Sequence, residues 1–345
     1  MTPIAQLGGK AEGARLARVE ASPQFADGKF RNNVPTRSGL SLSAFPRVAV
    51  AAFTGGEQRR PHQPIPVLDP GTGDAEGLHI TWYGHSTALI EIEGHRILLD
   101  PVWSERCSPT RFAGPRRMHR APVELAELPA LDAVVISHDH YDHLDMETVQ
   151  TLATLQENVV FAVPLGVGAH LERWGVPAGR IAELDWNENT RVGAIELIAT
   201  PARHFSGRGL SRDETLWASW VIKGPSRRVF YSGDTGYFPG FAGIGAEHGP
   251  FDATLVQVGM YGVEWPDIHM FPEDGVATHV DVRGGVMIPV HWGTFELAPH
   301  RWSEPVDRAW REAKARDVRL VVPRPGERID IDCPPEIDPW WQQIA

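Results

Sequence analysis

Ser137-His138-Asp139-His140-Tyr141-Asp142-His143-Leu144-Asp145 puts three imidazoles and an aspartate of ligand type within six residues, His138 to His143. It follows Leu131–Ile136, LDAVVI, a short β-branched run that reads as a buried strand, so the polar cluster sits on the loop leaving a strand end. Asp145 is placed to cap a helix over MetGluThrValGlnThrLeuAlaThrLeu. His138 and His140, two apart in an extended loop, point the same way, whereas Asp142 and His143 begin the next turn and face elsewhere. One short loop is thereby expected to serve two adjacent metal ions.

Residues of ligand type recur where later strands stop. His204 follows the strand ending at Thr200-Pro201, Asp234 follows ValPheTyrSerGly, and His291 follows ValMetIleProVal. A lone histidine in such a place is ordinarily a satisfied core or surface residue; the joint pattern promotes these. The expected set is His138, His140 and His204 for one ion, Asp142, His143 and His291 for the other, and Asp234 between them. Zinc suits this mixture of imidazole and carboxylate, and iron or manganese would also be accepted. Asp100, ending its own strand, and His85, after TrpTyrGly, are candidates to orient ligands from outside the first ring.

Composition narrows the classes. Only Cys107 and Cys333 occur in 345 residues, so a disulfide framework and a cysteine-built zinc site are both excluded, and a reducing, cytoplasmic setting is expected. A net charge of -11 speaks against nucleic acid as a partner, because that affinity comes largely from cations set against phosphates. No basic stretch followed by an apolar one opens the chain, and the Val48–Phe53 run is far short of the roughly 20 residues of a membrane span. Peripheral contact with lipid through apolar loops stays open, and the oligomeric state is not written in the sequence.

Residues 1–77 are rich in Gly, Pro, Ser, Arg and Gln, with a helix expected near Glu12–Val19, and read as an extension wrapped on the domain that fills 78–345. His79 to Pro101 alternates and turns at Glu93-Gly94, predicting paired antiparallel strands. A basic loop, Trp103 to Pro122, carries Arg116 and Arg117 and is a candidate site wall. Further strands are predicted at Val159–Val163, Ala194–Thr200, Leu216–Ile222, Arg228–Ser232, Ala253–Val258, Val286–Val290 and Val318–Val322, with helices near Pro272–His279 and Pro305–Ala315. Two packed sheets with helices outside account for that order.

SerHisAspHisTyrAspHisLeuAsp, ProAlaArgHisPhe, SerGlyAspThrGlyTyr and ProValHisTrpGlyThrPhe together resemble the metallo-β-lactamase superfamily, in particular its N-acylphosphatidylethanolamine phospholipase D-like branch, close to the ascorbate-6-phosphate lactonase-like hydrolases. The resemblance extends to TrpTyrGlyHisSerThr, LeuLeuAspProValTrpSerGluArg and HisMetPheProGluAsp. It implies an α/β fold, the four-layer αββα sandwich, with two zinc ions at one edge held by the seven residues above and bridged by Asp234.

The expected reaction is hydrolysis by a hydroxide generated between the two ions, with Asp142 or Asp234 holding its proton. His269 and Tyr261 are candidate donors to the oxyanion or leaving group. The favoured substrate is a phospholipid or related small-molecule phosphodiester, for which Arg116 and Arg117 offer guanidinium groups and Trp217 and Trp265 apolar contact. A lactonase or amide hydrolase of β-lactam-like type is the alternative within the same chemistry, and a binding scaffold without catalysis is the alternative from another class. The full complement of ligand residues speaks against the last.

Overall fold

The N-terminal segment begins with α1 (Pro3–Gln6), α2 (Gly13–Glu20) and a small hairpin of β1 (Phe25–Ala26) with β2 (Lys29–Phe30). In this computed structural model residues 3–37, 59–71, 73–209 and 211–345 are described; the Val48–Phe53 run lies outside them. From Leu78 the chain lays down β3 (Leu78–Gly84), β4 (Thr87–Ile92) and β5 (His95–Leu99), each antiparallel to the last. The β4–β5 turn falls at Glu93-Gly94, whose φ values of 48° and 87° give the left-handed pair that matches strand twist in a tight hairpin.

Parallel strands β6 (Ala133–Val135), β7 (Val160–Pro164) and β8 (Ile181–Leu184) then extend the sheet, linked by α3 (Met146–Leu155) and α4 (Gly168–Arg173). A second sheet starts with antiparallel β9 (Asn189–Val192), β10 (Ile195–Thr200), β11 (Ser219–Lys223) and β12 (Arg228–Tyr231). It continues through α5 (Gly240–His248), parallel β13 (Phe251–Gln257), α6 (Pro272–Asp281), β14 (Gly284–Val290), α7 (Glu304–Ala315) and β15 (Arg319–Leu320). β16 (Arg328–Asp330) returns to pair with β3, and α8 (Trp340–Gln343) closes the fold. Each sheet has seven strands, ordered β16-β3-β4-β5-β6-β7-β8 and β15-β14-β13-β12-β11-β10-β9.

Side-chain alternation decides how the sheets pack. Ile80, Trp82, Ala88, Ile90, Ile97 and Leu99 point inward, into one cluster with Leu197, Trp220, Val221 and Tyr231 of the second sheet. Leu89, Leu98, Val134 and Ile136 point the other way, onto Met146, Val149 and Leu152 of α3 and Leu171 of α4. Phe241, Val276, Val306 and Ala309, on α5, α6 and α7, join the core from the second sheet's side. Each fully buried Ile or Leu contributes about 1.5–3 kcal/mol over the same side chain in water, and the result is the expected αββα layering.

Strand direction then places the site. β5 and β6 run parallel, and β3 runs with β5 because β4 lies antiparallel between them. In the other sheet β10 runs with β12, and β12, β13 and β14 are parallel. The β3–β4 turn and the carboxyl ends of β5, β6, β10, β12 and β14 therefore share one rim. Those are the places of His85, Asp100, the His138–His143 loop, His204, Asp234 and His291.

Candidate metal centre

Ser137 leaves β6 with its N–H donating to Asp100 Oδ1 at 2.7 Å, and the loop then turns through His138–Asp142, His143 N–H and Leu144 N–H both donating to His140 O. Asp145 does take the N-cap position of α3, but its carboxylate accepts from Ser104 N–H at 3.0 Å and the Thr148 hydroxyl, so it ties the basic loop to the helix instead of capping the helix backbone. Gly233 holds the other wall close: with φ 56°, a Cβ there would lie 2.8 Å from both Ala218 O and Ser137 Cβ. His85, Asp100 and His291 all have left-handed backbones, with φ of 53°, 35° and 66°. Such conformations cost about 1–3 kcal/mol each and persist where the surroundings over-determine them.

Outer partners fix the ring nitrogens. His143 Nδ1–H donates to Asp100 Oδ2 at 2.7 Å, His204 Nδ1–H to Ile268 O at 2.8 Å, and His138 Nδ1 faces Ser137 Oγ at 2.9 Å while that hydroxyl donates to Asp100. In each neutral ring the inward Nε2 is thereby left as a lone pair. These lone pairs converge: His138 Nε2 is 2.8 Å from His140 Nδ1, and His204 Nε2 is 3.3 Å from the same atom. Asp234 Oδ2 stands at the centre, 3.2 Å from His143 Nε2, 3.0 Å from His291 Nε2, and 3.9 Å from both His138 and His204 Nε2. Asp142 Oδ2 lies 3.2 Å from His291 Nε2 and 3.4 Å from His143 Nε2.

Two ligand groupings result, each with its atoms within 4.8 Å of one another: His138, His140 and His204, and His85, Asp142, His143 and His291. Asp234 groups with His138 and His143, and again with His204 and His269. His143 Nε2 and Asp234 Oδ1 are buried without a hydrogen-bond partner among the described residues. Acceptor atoms packed together with few protons between them fit a divalent cation better than any protein group.

Electrostatics agree with that fit. Burial opposes ionisation of Asp142 and Asp234, yet the facing His143 and His291 outweigh it and hold both carboxyls well below the usual range. Burial, reinforced by neighbouring imidazoles, drives His138 well below the ordinary histidine value, leaving it neutral. His143 and His291 are the exceptions: burial works against their cations, but Asp234 and Asp142 prevail and raise both above that value, His143 well above it. Without metal, the cluster must take up positive charge as a proton.

A cavity of about 340 Å³ opens on the cluster, lined on its polar side by His140, Asp142, Asp234, His269, His291 and Arg212. Phe205, Met260, Trp265, Ile268 and Leu297 form its apolar side. His269, its Nδ1 3.9 Å from Asp234 Oδ2, is pushed down to about 4 by burial. Four expected substrate contacts are absent from this lining. Arg116 extends to Glu105, and Arg117 donates to Val102 O at 2.6 Å and Tyr83 O at 3.2 Å, bracing the loop that bears it. Trp217 is a core residue whose Nε1–H donates to Ala202 O at 3.0 Å, and the Tyr261 hydroxyl donates to Glu304. Polar groups near a site were legible as types; their direction depends on partners distant in sequence.

The profile of the Beta-lactamase superfamily domain matches residues 95–292, more than half of the chain and all but one of the residues just described at the rim. The chain belongs to the metallo-β-lactamase superfamily. It is a metal-dependent hydrolase of that superfamily, with a histidine and aspartate cluster able to bind metal. An uncharacterized protein of Mycobacterium tuberculosis is 52% identical over 352 residues, 99% of this chain and 92% of its own. N-acyl-phosphatidylethanolamine-hydrolyzing phospholipase D 1 of Caenorhabditis elegans is 37% identical over 253 residues, 70% of this chain and 71% of its own. Among solved structures, a metallo hydrolase from the archaeon Ignicoccus hospitalis superposes with TM-score 0.56 at 21% identity, covering 73% of this chain and 97% of its own, a likeness of fold.

This metallo-β-lactamase sandwich recruits to its rim residues that the sequence did not single out. Asn32, from the N-terminal segment, clasps His204 through both backbone groups: His204 N–H donates to Asn32 Oδ1 at 3.0 Å, and Asn32 Nδ2–H to His204 O at 2.8 Å. Buried Arg208 donates to Asp139 O at 2.6 Å, Leu144 O at 2.7 Å and Gln6 O at 2.9 Å, joining the histidine loop to α1. Asp139 accepts from Gly207 N–H at 2.7 Å, Thr215 Oγ1–H at 3.0 Å and His170 Nε2–H at 3.2 Å, which makes it a loop brace. Arg208 lies four residues beyond His204, and Asn32 lies 172 residues before it, at the end of AspGlyLysPheArgAsn in the N-terminal segment.

Proposed function

We propose that this chain is a zinc-dependent phosphodiesterase of the phospholipase D type, acting on a phospholipid or a related amphiphilic phosphodiester in a reducing, cytoplasmic setting. The convergence of imidazole lone pairs on Asp234 carries the catalytic half of this reading. In it His138, His140 and His204 would hold one ion and Asp142, His143 and His291 the other, with Asp234 within reach of both sets. Two such ions, when bound, acidify water towards neutral pH and polarise the scissile centre. His269, neutral and facing the cavity, is placed to stabilise charge on the reacting group. The substrate half is supported by the Caenorhabditis elegans relative, whose name assigns it to hydrolysis of a phospholipid, and by the cavity's apolar side, Met260, Trp265, Ile268 and Leu297. No described helix is long and apolar enough to cross a membrane.

Zinc-loaded protein is expected to hydrolyse bis(p-nitrophenyl) phosphate and a glycerophospholipid with headgroup release, to lose that activity on chelation and to regain it with zinc. Turnover of lactones or β-lactams without any phosphodiester would replace the reading with an acyl hydrolase.

His85 carries a second expectation. Its Nε2–H donates to Asp142 Oδ2 at 2.8 Å, its N–H to Thr294 Oγ1 at 2.6 Å, and its carbonyl accepts from His291 N–H at 2.8 Å. One residue thus orients two members of the second ligand set. His85→Ala is expected to weaken binding of one zinc about 10- to 100-fold, read by chelator competition against total zinc, with the His138 set unaffected. Equal loss at both positions would show that His85 serves the fold generally.

A further inference from the structure

Of the charged side chains that face the cavity, one lies outside the ligand cluster. Arg212 is the sole arginine or lysine among the described residues that line it. Its guanidinium carbon sits 4.1 Å from the centroid of the Phe205 ring, a close cation–π contact. Phe205 follows His204 directly and packs edge-on to His140, ring centroids 4.5 Å apart. One aromatic ring therefore separates the guanidinium from two members of the first ligand set.

The loop bearing Arg212 is pinned on both sides. Asp213 N–H donates to Ser206 O at 3.0 Å, which closes the excursion after His204, and Phe30 N–H donates to Asp213 O at 2.8 Å, which clips its far end to β2. Ser206 in turn donates its hydroxyl to Thr215 O at 2.6 Å. Arg212 is thus carried on a short arch whose feet are fixed.

We propose that Arg212 is a specificity-determining residue that binds the non-bridging phosphoryl oxygens of a monoanionic phosphodiester in the cavity beside the histidine cluster. The proposal rests on the phosphodiesterase reading above. A guanidinium keeps its charge at every working pH and offers paired N–H donors in a plane that matches two phosphoryl oxygens. A lactone or neutral ester brings no anion and draws little from such a group. The fixed arch and the Phe205 face pre-orient the fork, so less side-chain freedom is lost when the anion arrives. Arg116 and Arg117 brace the Trp103–Pro122 loop and do not line the cavity, whereas Arg212 does.

The test uses full-length zinc-loaded protein and dibenzyl phosphate, a monoanionic diester, by isothermal titration calorimetry. Arg212→Ala is expected to bind it about 10- to 100-fold more weakly than the wild type, with zinc content unchanged and with Arg212→Lys in between. Binding by Arg212→Ala within about twofold of wild type, against a tenfold step per charge-assisted bond, would overturn the proposal. So would failure of the wild type to bind the probe. Loss of zinc in both Arg212→Ala and Arg212→Gln would mark a structural prop and overturn it equally. Expected binding in all variants, with no phosphodiester turned over by the wild type, would instead refute the phosphodiesterase reading and leave anion recognition in place.

Discussion

Asp234→Ala is expected to lower kcat/KM by at least about a thousandfold, on the scale of other losses of a charge-stabilising group at a reacting centre, and to remove bound metal at the same time. Among the described residues, Asp234 Oδ2 is the one carboxylate oxygen within 4.0 Å of His138, His143, His204 and His291 together. Taking it away leaves two sets of imidazoles with half their countercharge, and two cations then repel across the gap. The sheets should survive. Asp234 lies after β12, and the neighbours that hold its backbone, Gly233 against Ser137 and Ala218, are unchanged by the substitution. Metal analysis by mass spectrometry, far-ultraviolet circular dichroism and turnover on one preparation decide the matter. Full zinc occupancy with retained turnover would show that the ions do not share this residue.

Asp100→Ala should act on stability more than on any single catalytic step. The Asp100 side chain is wholly buried and collects four donors: Ser137 N–H, the Ser137 hydroxyl, His143 Nδ1–H and the Tyr231 hydroxyl. Removing it strands all four in the interior where the two sheets meet, and cuts the support from His143. Breaking a buried charged partnership of this kind costs about 3–5 kcal/mol, and urea denaturation of the metal-free protein reads it directly. Asp100→Asn, which keeps one acceptor oxygen, should lose less. A change below about 1 kcal/mol, the worth of one ordinary hydrogen bond, would show that the four donors find other partners.

Local chemistry made much of this protein legible in advance. The alternation from His79 to Leu99 and the Glu93-Gly94 turn announced β3, β4 and β5, because period and turn conformation are both properties of adjacent residues. The rim could be inferred because ligand-type residues fell at strand ends. What escaped depends on distance along the chain. β16 is three residues long and exists through pairing with β3 some 250 positions earlier. Arg117 and Arg212 are chemically identical in sequence, yet one is drawn into backbone carbonyls and the other onto Phe205 over the cavity. Trp217 and Tyr261 looked like site aromatics and are held elsewhere by Ala202 and Glu304.

The clasp between Asn32 and His204 makes one metal position answerable to a segment outside both large sheets. Asn32 and Phe30 have their partners at His204, Trp217 and Asp213, 172 or more positions later. Closing a loop of that length carries an entropic cost that the contacts at its end must offset. The segment therefore braces from behind a histidine whose ring faces the cluster, and the backbone geometry of His204 is shared between the sandwich and the chain laid over it.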